Sequence, residues 1–171
     1  MQPRVVVGTD GSPGCAGALH RAAAEARVRQ AELWVVLAWQ PPGGGLGSRH
    51  APGLPVADGC RATAAERLLE ALDSAFGTTG PGVASTGLIV RATPGAALVD
   101  SVRDAADLIV VGTGRRGLLQ RALRPSVARY CLSHAPCPVL AVPPSPLRAD
   151  LDAVRRRNAW RIPLDVRDLV R

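Results

Sequence analysis

The chain has 171 residues and a formal net charge of +7, a length that suits one domain able to bury a real core. Hydrophobic residues make up 47% but aromatics only 3%, so the core must come from Val, Leu, Ile and Ala, and no apolar run nears the roughly 20 residues that cross a bilayer. All 21 basic residues are Arg; without Lys, a Walker-A loop, a kinase strand lysine and a Schiff-base amine are excluded.

Arg4 to Gly8 (RVVVG) is a short β-branched run that stops at glycine, as a buried parallel strand does. Ser12 and Pro13 then offer an N-cap and a first helical residue whose missing N–H costs nothing, and a helix follows to about Arg29 with Ala16, Leu19, Ala23 and Ala26 on one face. Glu32 to Trp39 reads as the second strand. Pro41 to Gly59 holds four Pro and six Gly and predicts a long surface loop. Arg61 to Phe76 returns to helix, with a stripe of Ala65, Leu68, Leu69 and Leu72.

Val83 to Val90 supplies a third strand, and Thr93-Pro94 opens a helix through about Ala106 that buries Ala97, Leu98 and Val102. Leu108 to Val111 is the fourth strand, Val127 to His134 the fourth helix and Pro138 to Val142 the fifth strand. Strands that alternate with helices, each nearly continuous in apolar character, predict an α/β fold with a parallel sheet covered on both faces. Ligands of such sheets settle outside the carboxyl ends of the strands, where the strand order reverses. Asp10, after the first strand, and Gly112, after the fourth, belong at that edge.

The segment between the fourth strand and fourth helix has an unusual charge. From Leu108 to Ala149 there is no Asp or Glu, but Arg115, Arg116, Arg121, Arg124, Arg129 and Arg148 carry +6 of the net +7. Gly112, Gly114 and Gly117 can supply positive φ and let a ligand approach the backbone, and helix N-terminal amides near Ser126 favour anions. A bound anion or an acidic partner is one reading; a solvated arginine-rich surface is the other.

Residues 145–171 depart from the alternation and carry seven Arg and four Asp between Leu147 and Arg171. They read as an extension beyond a domain spanning 1–144, either disordered or a weak amphipathic docking helix through Leu151, Val154 and Trp160. Cys15, Cys60, Cys131 and Cys137 match no zinc spacing and no disulfide scaffold, and read as reduced thiols. Met1 to Val7 lacks the pattern of a signal peptide, so the expected location is cytoplasmic.

VVVGTDGSPGCAGALHRAAAEAR, ELWVVLAW, DLIVVGTGRRG, PSV and HAPCPVLAVPP, in that order between Val5 and Pro144, resemble a universal stress protein domain of the single-domain type. The resemblance implies a three-layer αβα sandwich with a five-stranded parallel sheet in order 3-2-1-4-5, an adenine-nucleotide-binding fold. It also implies a homodimer formed through the last strand, Pro138 to Val142. Nucleotide-binding members are similar in a motif of G-x-x-G, nine residues, then G-[S/T]. Carried onto this chain, with the Asp after strand one and a small residue ending strand two, the site becomes Thr9, Asp10, Ala38, Gly112, Gly114, Arg115, Gly117, Ser126 and Val127.

Two positions depart from that motif. Arg115 stands where the second glycine belongs and Pro125 where the third belongs; proline deletes an amide that a phosphate would use. Arg115 either donates to phosphate itself or fills the phosphate space. A lost hydrogen bond to a charged acceptor costs about 1.5 to 3 kcal/mol, so ATP affinity is weakened while adenine or AMP contacts at Asp10 and Ala38 survive.

The expected function is therefore that of a regulatory or stress-response protein with a degenerate site for ATP or AMP. The alternative is a nucleotide-independent interaction protein in which the C-terminal extension docks a protein partner. Enzymatic turnover has little support, because Asp10 is a lone acid that serves equally well as a turn or cap residue, and His134 reads as a helix-ending residue. Nucleic-acid binding lacks a stacking platform, since the three Trp, one Tyr and one Phe are scattered.

Overall fold

The computed structural model describes residues 2–40, 54–113 and 126–144. They form β1 (Arg4–Thr9), a 3-10 turn (Pro13–Cys15), α1 (Ala16–Arg29), β2 (Glu32–Trp39) and α2 (Leu54–Phe76), then β3 (Ser85–Arg91), α3 (Pro94–Asp100), β4 (Leu108–Gly112), α4 (Val127–His134) and β5 (Val139–Val142). The sheet has five strands in order β3-β2-β1-β4-β5, and each neighbouring pair is parallel.

The pleat of the central strands sorts the core into two layers, because successive side chains point to opposite faces. Val5 and Val7 of β1, Leu33, Val35 and Leu37 of β2, and Leu108 and Val110 of β4 pack with Leu19, Ala22, Ala26 and Leu68 from α1 and α2. Val6, Val36, Ile109 and Val111 turn the other way, onto Ala97, Leu98 and Cys131 of α3 and α4. With both faces covered, these strands contain almost no polar residue, and burying each Val, Ile or Leu contributes about 1.5–3 kcal/mol.

Three expectations are corrected. The stretch expected to be loop through Gly59 is helical from Leu54 onward, since a proline in the first turn needs no N–H partner and the single Gly59 costs only about 1 kcal/mol. Within α2 the packed face is Ala64, Leu68 and Ala71, and Leu69 is exposed. Finally, α3 stops at Asp100, six residues short of Ala106. Asp107 explains this early stop: its buried carboxylate accepts from the backbone amides of Arg103 (2.9 Å) and Asp104 (3.1 Å), drawing residues that would continue the helix into a turn.

The same carboxylate accepts from the Arg4 amide at 2.8 Å and so ties the start of β1 to the approach of β4. On the α3/α4 face, a Cβ added at Gly95 would lie 2.6 Å from the Tyr130 ring, so only glycine lets the two helices meet there. Tyr130 in turn stacks on His134, whose Nδ1 lies 2.9 Å from the Tyr130 carbonyl oxygen at the end of α4, the helix-ending place expected for it. Residues 145–171 lie outside the described residues.

Candidate functional site

Parallel pairing brings the carboxyl ends of all five strands to one edge. Thr9 pairs with Leu37, so the chain leaves β1 beside Ala38. Val7 pairs with Val110, so Gly112 ends β4 at the same edge. After β1 the chain steps one way to β2 and β3, whereas β4 and β5 lie on the other side of β1, which makes the β1–β4 boundary the switch point where α/β sheets take ligands.

The turn after β1 is built from its own residues. Thr9 Oγ1 accepts from the Gly11 amide at 3.1 Å, and Asp10 Oδ1 accepts from the Ser12 amide at 2.9 Å and from the Cys15 thiol at 3.1 Å. Gly11 has φ +78°, a left-handed conformation open to glycine. Burial works to raise the Asp10 pKa, but the hydrogen bonds from Ser12 and Cys15 outweigh it and hold the carboxyl below its ordinary value. The Cys15 thiol is pushed up, first by burial and further by the Asp10 charge. Ser12 and Thr93, expected as side-chain caps, make no such bond, whereas Ser126 caps α4 by accepting from the Arg129 amide at a long 3.5 Å.

A cleft of about 580 Å³ opens next to this turn, lined by Asp10, the end of β2 from Leu37 through Gln40, and the α2 face that includes Cys60, Thr63 and Arg67. That volume lies in the range of small-molecule sites, about 300–1,000 Å³. A smaller cleft of about 270 Å³ lies between α1 and the end of α2, where Arg27 donates to the Pro81 carbonyl at 3.1 Å. Its guanidinium complements the negative end of α1, a structural use.

Of the residues expected at the site, Asp10 and Ala38 line the larger cleft together, while Thr9 sits beneath, buried, and Gly112 stands at the same edge without lining it. Ser126 and Val127 open α4. Gly114, Arg115, Gly117 and Pro125 lie outside the described residues. Gly112 is not among the positive-φ glycines; it is the last strand residue of β4, and among the described residues an added Cβ would meet Ala18 at 3.8 Å. The positive φ at this edge belongs to Gly11 instead.

Sequence reasoning missed the α2 wall. Gly59, Cys60, Thr63, Ala64 and Arg67 recur every three or four residues, the period of one helix face, but Gly59 reads as loop when counted with the prolines before it. Trp39, expected as a core or dimer residue, rests on the α1/α2 core and is also among the residues that line the cleft. The wall therefore combines an acceptor (Asp10), an aromatic face (Trp39), neutral polar groups (Gln40, Thr63) and a cation (Arg67), a set that can hold a flat polar ring and an anionic group. Among the described residues, no group of three or more His, Cys, Asp or Glu could hold a metal ion.

Residues 1–143 match the profile of the Universal stress protein family. Among solved structures, a universal stress protein in complex with cAMP is 29% identical, with a TM-score of 0.61, covering 84% of this chain and 98% of its own. A universal stress protein from Archaeoglobus fulgidus is 24% identical with a TM-score of 0.58, covering 83% of this chain and 94% of its own. UspA from Lactobacillus plantarum is 22% identical with a TM-score of 0.57, covering 82% and 97%. The last two show the fold. No curated protein sequence matches the chain.

Proposed function

The chain belongs to the universal stress protein family, and from that premise we propose that it is a stress-response regulator whose cleft at the carboxyl edge of the sheet binds an adenine nucleotide weakly. The observation that carries this reading is the placement of Asp10 and Ala38 side by side on one cleft of about 580 Å³ at the carboxyl edge of the sheet. The 29% identical structure solved with cAMP supports it. Thr9, Asp10 and Ala38 take the base and ribose side, and Gly112, Gly114, Arg115, Gly117, Ser126 and Val127 take the phosphate side.

A triphosphate suits the site less than AMP or cAMP, because Pro125 cannot donate an amide and Arg115 replaces a motif glycine. Nor do we assign turnover, since Asp10 is the one acid lining the cleft among the described residues. The proposed assembly is a homodimer through β5, an edge strand hydrogen-bonded on one side to β4. Residues 145–171 are proposed as a docking extension. No helix among the described residues is long and apolar enough to cross a membrane.

Calorimetric titration of the purified chain with ATP, ADP, AMP and cAMP tests the reading. Saturable binding in the micromolar range, with the monophosphates ahead of ATP, is expected. One observation favours a nucleotide-independent interaction protein instead: Asp10 Oδ1 is already engaged by its own turn. Absence of binding at millimolar nucleotide would establish that second reading.

A further inference from the structure

The turn that carries Asp10 holds the side chain in place before any guest arrives. Asp10 Oδ1 accepts from the Ser12 amide at 2.9 Å and from the Cys15 thiol at 3.1 Å, and the Ser12 hydroxyl lies 3.8 Å from the same sulfur. An Asp carboxylate otherwise turns broadly about its second side-chain torsion. Two donors converging on one oxygen fix that rotation.

The two donors are held differently. The Ser12 amide belongs to the turn itself, whereas Cys15 is anchored from both sides. Its own amide donates to the Ser12 carbonyl at 3.0 Å, closing the 3-10 turn Pro13–Cys15, and α1 starts at the next residue, with Ala18 and Leu19 buried in the core. The thiol therefore reaches Asp10 from the fixed end of α1. It also remains a donor at neutral pH: burial first, and then the Asp10 carboxylate, push the Cys15 pKa up and keep the proton on sulfur. A thiol held protonated is a poor nucleophile, so its use here is the bond it makes.

We propose that Cys15 is a positioning residue for nucleotide binding: its thiol fixes the Asp10 carboxylate at the rim of the cleft, so that a donor group of the nucleoside, a ribose hydroxyl or the base amine, meets an acceptor already oriented. The proposal rests on the nucleotide reading and deepens it, since Asp10 and Ala38 line that cleft together. Preorganisation of this kind removes an ordering cost that binding would otherwise meet. Because Asp10 belongs to the base and ribose side, the benefit falls on the nucleoside and not on the phosphates.

The test measures dissociation constants of adenosine, AMP, cAMP and ATP for the wild type, Cys15→Ala, Cys15→Ser and Asp10→Ala, and for Cys15→Ala combined with Asp10→Ala. Cys15→Ala is expected to weaken all the ligands alike, by roughly three- to tenfold, while Cys15→Ser, which keeps a donor at the position, stays within about twofold of the wild type. Added to Asp10→Ala, the same alanine substitution should cost nothing further, as befits a residue that acts through another. Full additivity of the two substitutions, a serine as weak as the alanine, a loss confined to the phosphorylated ligands, or no loss at all overturns the proposal while leaving the nucleotide reading in place. A wild type that binds none of the four ligands overturns both.

Discussion

Two aspartates sit at opposite edges of the same sheet, and the contrast between them separates scaffold from site. Asp107, at the amino edge, is 1% exposed, and its two oxygens accept from three backbone amides contributed by Arg4, Arg103 and Asp104. Asp10, at the carboxyl edge, is exposed, and one oxygen holds a turn while the residue borders a cleft. A buried carboxylate whose bonds all go to backbone can only hold the chain together, whereas one at a rim can hold its turn and still meet a guest.

The contrast is sharpest under mutation. Asp107→Ala strands three amides near the core and is expected to cost about 3 kcal/mol or more, measured as a lower urea midpoint; an unchanged midpoint would remove Asp107 from the scaffold. Gly11→Ala forces a side chain into a left-handed turn and to within 3.1 Å of Arg67 Cβ, so it should cost about 1–2 kcal/mol and distort the cleft. Asp10→Ala is expected to leave the melting temperature nearly untouched while weakening AMP roughly tenfold; a fall in stability without a fall in affinity would make Asp10 a second scaffold residue.

Acid should separate binding from folding in the same way. Because hydrogen bonds lower the Asp10 pKa, its contribution is fully present above the ordinary carboxylate value and is lost only as pH falls through the lowered one. Nucleotide affinity should therefore stay level from about pH 8 down to about pH 5 on Asp10's account and decline below about pH 4, as a titration series would show. The smallest effect concerns the thiols. Cys131 is fully buried and its pKa is pushed up to about 11, by burial and then by Cys137, so native-state alkylation should reach partly exposed Cys15 and Cys60 and spare Cys131; rapid labelling of Cys131 would mean that α4 opens readily.

The run of β-branched and apolar residues in each strand, the glycine that ends β4 and the Ser-Pro and Thr-Pro pairs that open helices are local signals. They made the five strands, the alternation and the placement of Asp10 and Gly112 at one edge legible from the chain itself. The β-strand limits shifted by a residue or two, as at β3, which starts at Ser85 rather than Val83.

What the sequence could not determine depends on partners distant along the chain. The early end of α3 follows from Asp107 drawing in amides that local propensity would have left in a helix. The helix from Leu54 to Gly59 lies in a stretch whose Gly and Pro content signals loop, yet one proline and one glycine are tolerated once α2 packs on the sheet. Which residues of α2 face Asp10 is a matter of how that helix lies across the strands. Only the packed fold could bring Arg67 and Trp39 to the same cleft, because a side chain's neighbours across a sheet are set by tertiary register and not by the spacing of letters.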